Sequence, residues 1–454
     1  MLDLTPKEIS ERTALKINPC KTCQPVGALY AALGVHACMP HSHGSQGCAS
    51  YHRTFLSRHF KEPAIASTSS FTEGASVFGG GSNIRTGVRN VFEIYNPDII
   101  AVHTTCLSET IGDDMNAYIQ DMEIPDGKLV VHTNTPSYVG SHINGYYNMM
   151  SGFINYLSKK SGQGNGKAAV FPGFVNPGDM REIRRMAKLM NTPITLFPDT
   201  AGVMDAPMTG HYVMYPKGGT TIEEIVGLGD CKKTIALGAL TSEAPAITLE
   251  RKCGVPYEVI PLPIGIESTD LFLMALQKAF SRDIPYELEE ERGQLVDVIL
   301  DAHFYLYGKR VAIFGDPDTV IGLTNLVLEM GMIPSYVLTG TPGDGFAKAV
   351  NKLLGAYDVT GSRVKNAGDL FELHQWIMNE PVDLLIGTSY GKQIAKAEDI
   401  PFVRAGFPIL DRYAHSYFPI VGYKGALRLV EKITEALMDR QDRDAADEDV
   451  ELVM

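Results

Sequence analysis

No stretch of the sequence approaches the ~18 uncharged apolar residues of a membrane helix. The opening residues, Met1-Leu2-Asp3-Leu4-Thr5-Pro6-Lys7-Glu8, lack the apolar core of a secretory signal. Neither insertion nor export is expected, so the chain is read as cytoplasmic. Basic residues are outnumbered, giving a formal net charge of -13 over 454 residues, which argues against a nucleic-acid binder relying on clustered Lys and Arg. A nucleotide sensor has weak support too. Its candidate turn, Gly315-Asp316-Pro317-Asp318 after a strand, has neither the G-x-G-x-x-G pattern nor the lysine of a P-loop. No repeat of short fixed period occurs. Seven cysteines are too few, and odd in number, for a disulfide framework in a reducing compartment. They point to free thiols or metal ligands.

With 44% hydrophobic and 20% charged residues, the composition is that of a globular chain able to bury sizeable cores. Its length calls for two to four domains at roughly 100–200 residues each, and three are expected. From Asp98 onward, short β-branched runs alternate with segments of helical period, the pattern of parallel sheets wound by helices. Strands are expected at Asp98–Thr104, Lys128–Thr133, Ala168–Phe171, Ile194–Phe197, Thr234–Leu240, Arg310–Phe314 and Asp383–Ile386. Helices are expected at Pro177–Met190, near Thr221–Leu228, at Thr319–Met330 and at Gly425–Met438. A linker-like Lys159–Lys167 (KKSGQGNGK) and the charged, then amphipathic stretch Glu289–Tyr307 mark two seams. The fold class is therefore α/β, with three Rossmann-like domains over residues 1–163, 164–305 and 306–454 and mainly parallel sheets. The end, Asp439–Met454, reads as a solvated acidic tail.

Five of the seven cysteines (Cys20, Cys23, Cys38, Cys48, Cys106) lie in the first quarter of the chain. Cys23 stands between Pro19 and Pro25, which are expected to forbid a regular helix and leave the thiol on a loop. Cys48 closes His43-Gly44-Ser45-Gln46-Gly47-Cys48, whose glycines let the backbone approach a bulky inorganic group. Cys106 follows a strand, where open α/β sheets bind ligands. Ser137 follows the next strand and would lie close to Cys106 if the two strands are neighbours. A lone cysteine is more often a small core hydrophobe, but three in such settings favour a metal group. Their wide spacing argues against zinc knuckles and ferredoxin runs. Cys20-x-x-Cys23 as a redox pair is weak without a helix. Three thiolates do not complete a four-ligand site, so an iron-sulfur cluster shared with another chain is the reading.

The segments INPCKTCQPVGALYAALG, MPHSHGSQGCASYHR, RHFKEP, TEGASVFGGGSN, TTCLSETIGDD and NTPSYVGSHINGYYNM together resemble the β subunit of molybdenum-iron nitrogenase. The similarity continues through EEERGQLVD, GKRVAIFGDPD, SYGK and FVRAGFPILDRY, covering nearly the whole chain in a form without a long N-terminal extension. The resemblance implies an α2β2 assembly with a homologous α subunit that reduces dinitrogen to ammonia. An iron protein would deliver electrons in ATP-coupled steps to an 8Fe-7S P-cluster at the α/β interface, and onward to the molybdenum-iron cofactor in the α subunit. By motif, Cys23, Cys48 and Cys106 match the three β-side cluster thiolates. Ser137 matches the serine that joins an iron on oxidation, a hard alkoxide preferring the more oxidised metal. Phe78 of VFGG matches an exposed aromatic at the iron-protein docking surface. Asp297 and Asp301, on one helix face by their i,i+4 spacing, match part of a mononuclear calcium or iron(II) site between two β subunits, with the Lys61 carbonyl and Glu62.

Cys20 stands where that family more commonly has a small residue, with packing and reactivity both open. His52 is read more readily as a surface or core histidine than as a partner of the cluster, and His41 and His43 as serving their loop rather than a metal. A scaffold for assembly of the molybdenum-iron cofactor shares some of these motifs, but the intact TTC with TPSYV beside it favours the nitrogenase subunit. In vanadium or iron-only nitrogenases the second cysteine usually follows Gly-Gly-Gln, whereas this chain has Gly-Ser-Gln. Dark-type chlorophyll reductases are more remote.

Overall fold

The computed structural model describes residues 5–9, 12 and 16–446. Residues 1–4 of the opening segment and 447–454 of the acidic tail lie outside the described residues. The described strands form three sheets. The first comprises β1 (Cys38–His43), β2 (Ser67–Thr68), β3 (Ile99–Thr104) and β4 (Leu129–Thr133), in the order β2-β1-β3-β4. The second comprises β5 (Ala168–Phe171), β6 (Ile194–Leu196), β7 (Lys233–Leu237) and β8 (Tyr257–Ile260), in the order β6-β5-β7-β8. The third comprises β9 (Arg310–Gly315), β10 (Ile333–Thr339), β11 (Arg363–Lys365), β12 (Leu384–Gly387) and β13 (Phe402–Arg404), in the order β11-β10-β9-β12-β13. The strand pairs are parallel throughout. The α/β class expected from the sequence is the observed one.

Parallel strands covered on both faces read as unbroken apolar runs, which is why β3 and β9 are visible in the sequence. All six residues of β3 are buried, as are Val311 to Gly315 in β9. Strand β1 breaks that rule: Cys-Met-Pro-His-Ser-His is equally buried, so its polar side chains must find partners inside the protein. Those partners cluster at the carboxyl end of the first sheet.

The helices of the first unit are α1 (Gln24–Leu33), α2 (Gln46–Phe60), α3 (Glu73–Phe78), α4 (Gly81–Tyr95), α5 (Cys106–Ile111), α6 (Met115–Gln120) and α7 (His142–Leu157). Every residue of α1 is buried, and it packs along α7. The expectation that prolines exclude a helix beside Cys23 is corrected here. Pro25 lies in the first turn of α1, where the missing N–H costs nothing, and Cys23 is the N-cap.

Other boundaries move for local reasons. Strand β7 stops at Leu237 because Gly238, at φ 80°, turns the chain into the helix Ala239–Cys253. The stretch read as helical near Thr221–Leu228 is a short helix, Ile222–Val226, followed by a 3-10 turn. The seam at Glu289–Tyr307 is the helix Tyr286–Leu306, packed against the helix Gly422–Asp444. Residues 439–444, read as tail, are the last turns of that second helix.

Candidate functional site at the carboxyl edge of the first sheet

From β1 the chain crosses to β2 on one side, while β3 leads to β4 on the other, so the winding reverses between β1 and β3. The crevice outside the carboxyl ends at such a reversal is where open parallel sheets bind ligands. The last residues of these strands, His43 and Thr104, are paired in register. The connection leaving each strand carries a cysteine.

After β1, Ser45 caps α2, its hydroxyl accepting from the Cys48 amide at 3.5 Å, so Cys48 sits in the first turn. After β3, Thr105 caps α5 in a reciprocal pair with Ser108, and Cys106 is the first helical residue. The two connections touch: a Cβ on Gly44 would fall on Thr105 Oγ1, so only glycine fits. Cys23 caps α1. The sequence reading put these thiols in loops and at a strand end; the structure puts each at the start of a helix. Unpaired N–H groups there favour an anionic sulfur.

Cys48 lies near enough to Cys23 and Cys106 to raise both of the other thiols. Burial pushes Cys23 up to about 11, with Cys48 adding a smaller rise. Burial also raises Cys106, again reinforced by Cys48. All three are free, partly buried thiols, so ligation to iron must expel their protons. Among the described residues, no three His, Cys, Asp or Glu converge tightly enough to hold a single metal ion. Soft, spread-out sulfur donors fit an extended iron-sulfur group whose remaining ligands come from elsewhere.

Strands β3 and β4 are neighbours, which meets the condition set for Ser137. Its turn is tied to the end of β3 by Thr135, whose amide donates to Thr104 Oγ1 at 2.6 Å and whose hydroxyl donates to the Thr104 carbonyl at 2.6 Å. The Cys23 side is fixed by three further contacts. Lys21 Nζ donates to the Gly140 carbonyl at 2.6 Å, Gln24 Nε2 donates to the Val139 carbonyl at 3.0 Å, and Thr22 Oγ1 meets Tyr51 OH at 3.1 Å. His142, buried at the start of α7, lies 2.8 Å from a carboxylate oxygen of Asp316 and accepts from the Thr22 amide at 3.4 Å.

Cys20 is a packing residue. Its backbone is left-handed at φ 53°, its thiol is buried against the third sheet with Phe314, Tyr336 and Trp376, and burial holds it well above the usual thiol range. His52 is a core histidine, lowered by burial to about 4. His41 and His43 belong to β1 rather than to a loop. His41 lies 2.9 Å from the hydroxyls of both Ser67 and Ser69, and His43 bridges Ser69 and Asp113 at 2.8 and 3.0 Å. Asp113 was not singled out in the sequence, because nothing in its spacing links it to a histidine on another strand.

Phe78, at the end of α3, is 90% exposed. Lys61 ends α2 in a left-handed conformation at φ 66°, with Glu62 half-buried beside it. Asp297 and Asp301 are exposed on the helix Tyr286–Leu306 near Leu300 and Phe304, which are 65% and 88% exposed. Glu62, Asp297 and Asp301 do not come together within one chain.

Parallel, helix-wound sheets with soft sulfur donors gathered at a winding reversal define a redox α/β protein built to carry an inorganic group. Residues 23–438 match the model of the nitrogenase component 1 type oxidoreductases, and the chain belongs to that family. It is 61% identical to a nitrogenase molybdenum-iron protein beta chain of Clostridium pasteurianum over all of both chains. It is 41% identical to the Nostoc sp. beta chain over 95% of this chain and 86% of that one. A solved structure described as nitrogenase Cp1 at pH 6.5 superposes with a TM-score of 0.99 at 61% identity, covering 100% of both chains. The chain is thus a nitrogenase oxidoreductase subunit of the beta-chain type. Among the described residues, no helix is long and apolar enough to cross a membrane.

Proposed function

We propose that this chain works in the cytoplasm as the β subunit of a molybdenum-iron nitrogenase and holds one half of an 8Fe-7S P-cluster through Cys23, Cys48 and Cys106. The nitrogenase α subunit supplies the other half and carries the molybdenum-iron cofactor. The observation that carries this reading is the placement of Cys48 and Cys106 in the helix starts that leave the paired ends of β1 and β3 at the winding reversal, with Cys23 likewise at the start of a helix. When bound, the cluster supplies a reversible store of electrons between the iron protein and the cofactor. The protein's own part is positional. Cys23 caps α1, Cys48 and Cys106 lie in the first turns of α2 and α5, and the Thr104–Thr135 bonds tie the Ser137 turn to the end of β3. Ser137 would join the ligand set when the bound cluster is oxidised, its hydroxyl giving up a proton as it does so.

Phe78 marks the docking surface for the iron protein. The Lys61 carbonyl and Glu62 of one copy and Asp297 and Asp301 of a second hold a mononuclear calcium or iron(II) ion in the α2β2 assembly. All-oxygen ligation suits either metal, and the separation of the two pairs within one chain suits a site shared between copies. Each of the three sheets centres one domain, over residues 1–163, 164–305 and 306–454. Purification from the native host tests the reading: the chain is expected to copurify with a nitrogenase α subunit in equal amount. A chain isolated with an assembly partner and no dinitrogen-reducing activity would identify a scaffold instead.

A further inference from the structure

We propose that Asp113 is a positioning residue that ties the exposed Phe78 turn to the helix start carrying Cys106, so that a protein seated on Phe78 is registered at that thiol. This rests on the reading of Phe78 as a docking residue and Cys106 as a ligand, and names the physical connection between them.

Phe78 and Val77 are 90% and 74% exposed at the end of α3. The chain then reverses through Gly79, at φ 93°, and Gly80, whose amide donates to both carboxylate oxygens of Asp113 at 3.0 and 3.2 Å. The turn has little slack, since a Cβ on Gly80 would sit 2.7 Å from Asp113 Oδ2 and 2.2 Å from the edge of the Phe71 ring. Asp113 also accepts from Tyr118 OH at 3.0 Å and pairs with His43 Nε2 at 3.0 Å, with its side chain 2% exposed. A carboxylate can only accept, so His43 carries its proton on Nε2 and its Nδ1 accepts from Ser69 Oγ at 2.8 Å.

His43 in turn holds α5. Its carbonyl accepts from the Thr105 amide at 3.2 Å, Thr105 Oγ1 at 3.1 Å and Ser108 Oγ at 2.8 Å, the groups that cap the helix beginning at Cys106. A second route is direct, because the Asp113 amide donates to the Ser108 carbonyl at 3.1 Å. Asp113 therefore grips the docking turn with its carboxylate, the end of α5 with its backbone, and the start of α5 through His43. In a close-packed interior, a small displacement of the turn is passed on rather than absorbed.

Hydrogen–deuterium exchange of the assembled α–β protein, with and without the iron protein, tests the connection. In the wild type, added iron protein is expected to slow exchange at residues 72–81 and, about five- to tenfold, at residues 105–113. In Asp113→Ala the first protection remains and the second is lost. If that variant does not assemble, Asp113→Asn keeps the shape and an acceptor for Gly80 but removes the charge and turns an N–H toward Tyr118 or His43, and shows partial loss. A purely structural role would raise exchange at 105–113 equally in both states and leave their ratio unchanged. Undiminished protection of 105–113 in either variant overturns the proposal, as does wild-type protection confined to 72–81. No protection of 72–81 in the wild type overturns the docking reading along with it.

Discussion

Gly27 of α1 and Gly145 of α7 cross so closely that each helix's backbone fills the space of the other's missing side chain. A Cβ on Gly27 would fall on the His142 carbonyl oxygen, and one on Gly145 on the Gln24 carbonyl oxygen. Because α1 starts immediately after Cys23, this crossing sets where that thiol stands. Gly27→Ala is expected to destabilise the protein by about 1–3 kcal/mol through forced helix separation and to lower the cluster content of the assembled protein. Denaturant midpoints and iron analysis measure both, and a variant equal to wild type in each contradicts the account of the crossing.

Phe78→Ala should behave in the opposite way. An exposed side chain contributes little to folding, so stability should change by less than about 0.5 kcal/mol. The concentration of iron protein needed for half-maximal turnover should rise. Unchanged dependence on iron protein would remove Phe78 from the docking surface.

Ser137→Ala is predicted to leave the reduced cluster intact and to alter the spectrum of the oxidised one, because only there does an alkoxide gain over a thiolate-only set. Electron paramagnetic resonance of the oxidised protein decides the point. Spectra indistinguishable from wild type would strike Ser137 from the ligands.

Acid should weaken the fold through its buried histidines. Burial lowers His41 and His59 to about 3, and His52 and His415 to about 4. Unfolded, each would titrate near pH 6.5. The unfolded state therefore binds more protons between these values, so the stabilisation is complete above about pH 6.5 and is lost as pH falls toward the folded values. Each such histidine contributes up to about 1.4 kcal/mol per pH unit. Thermal midpoints should fall steadily from about pH 7 to about pH 5, and less steeply in His59→Gln. A flat profile would mean that these histidines are hydrated in the native state.

The sheets were legible where burial on both faces leaves an apolar run, as in Ile99–Thr104 and Arg310–Gly315. Strand Cys38–His43 was not, because its buried histidines and serine are satisfied by Ser67, Ser69, His103 and Asp113, which only the fold brings near. The three thiols could be picked out by their glycine and proline settings and by resemblance. Their placement at helix starts is not legible in the same way, since a proline such as Pro25 breaks a helix interior yet fits a first turn, and the local sequence does not separate the two. Asp113 escaped notice because its partners lie 33 and 70 residues away, at Gly80 and His43.

Cys23, Cys48 and Cys106, and not the neighbouring Cys20, are predicted to bind the cluster. Iron content and the P-cluster spectrum of the assembled protein, compared across Cys20→Ala, Cys23→Ala, Cys48→Ala and Cys106→Ala, decide this. Cys20→Ala is expected to retain the wild-type signal, because that thiol packs against the third sheet. The other three variants are expected to lose the signal together with substrate reduction. A full cluster spectrum with wild-type activity in Cys48→Ala or Cys106→Ala would contradict the account.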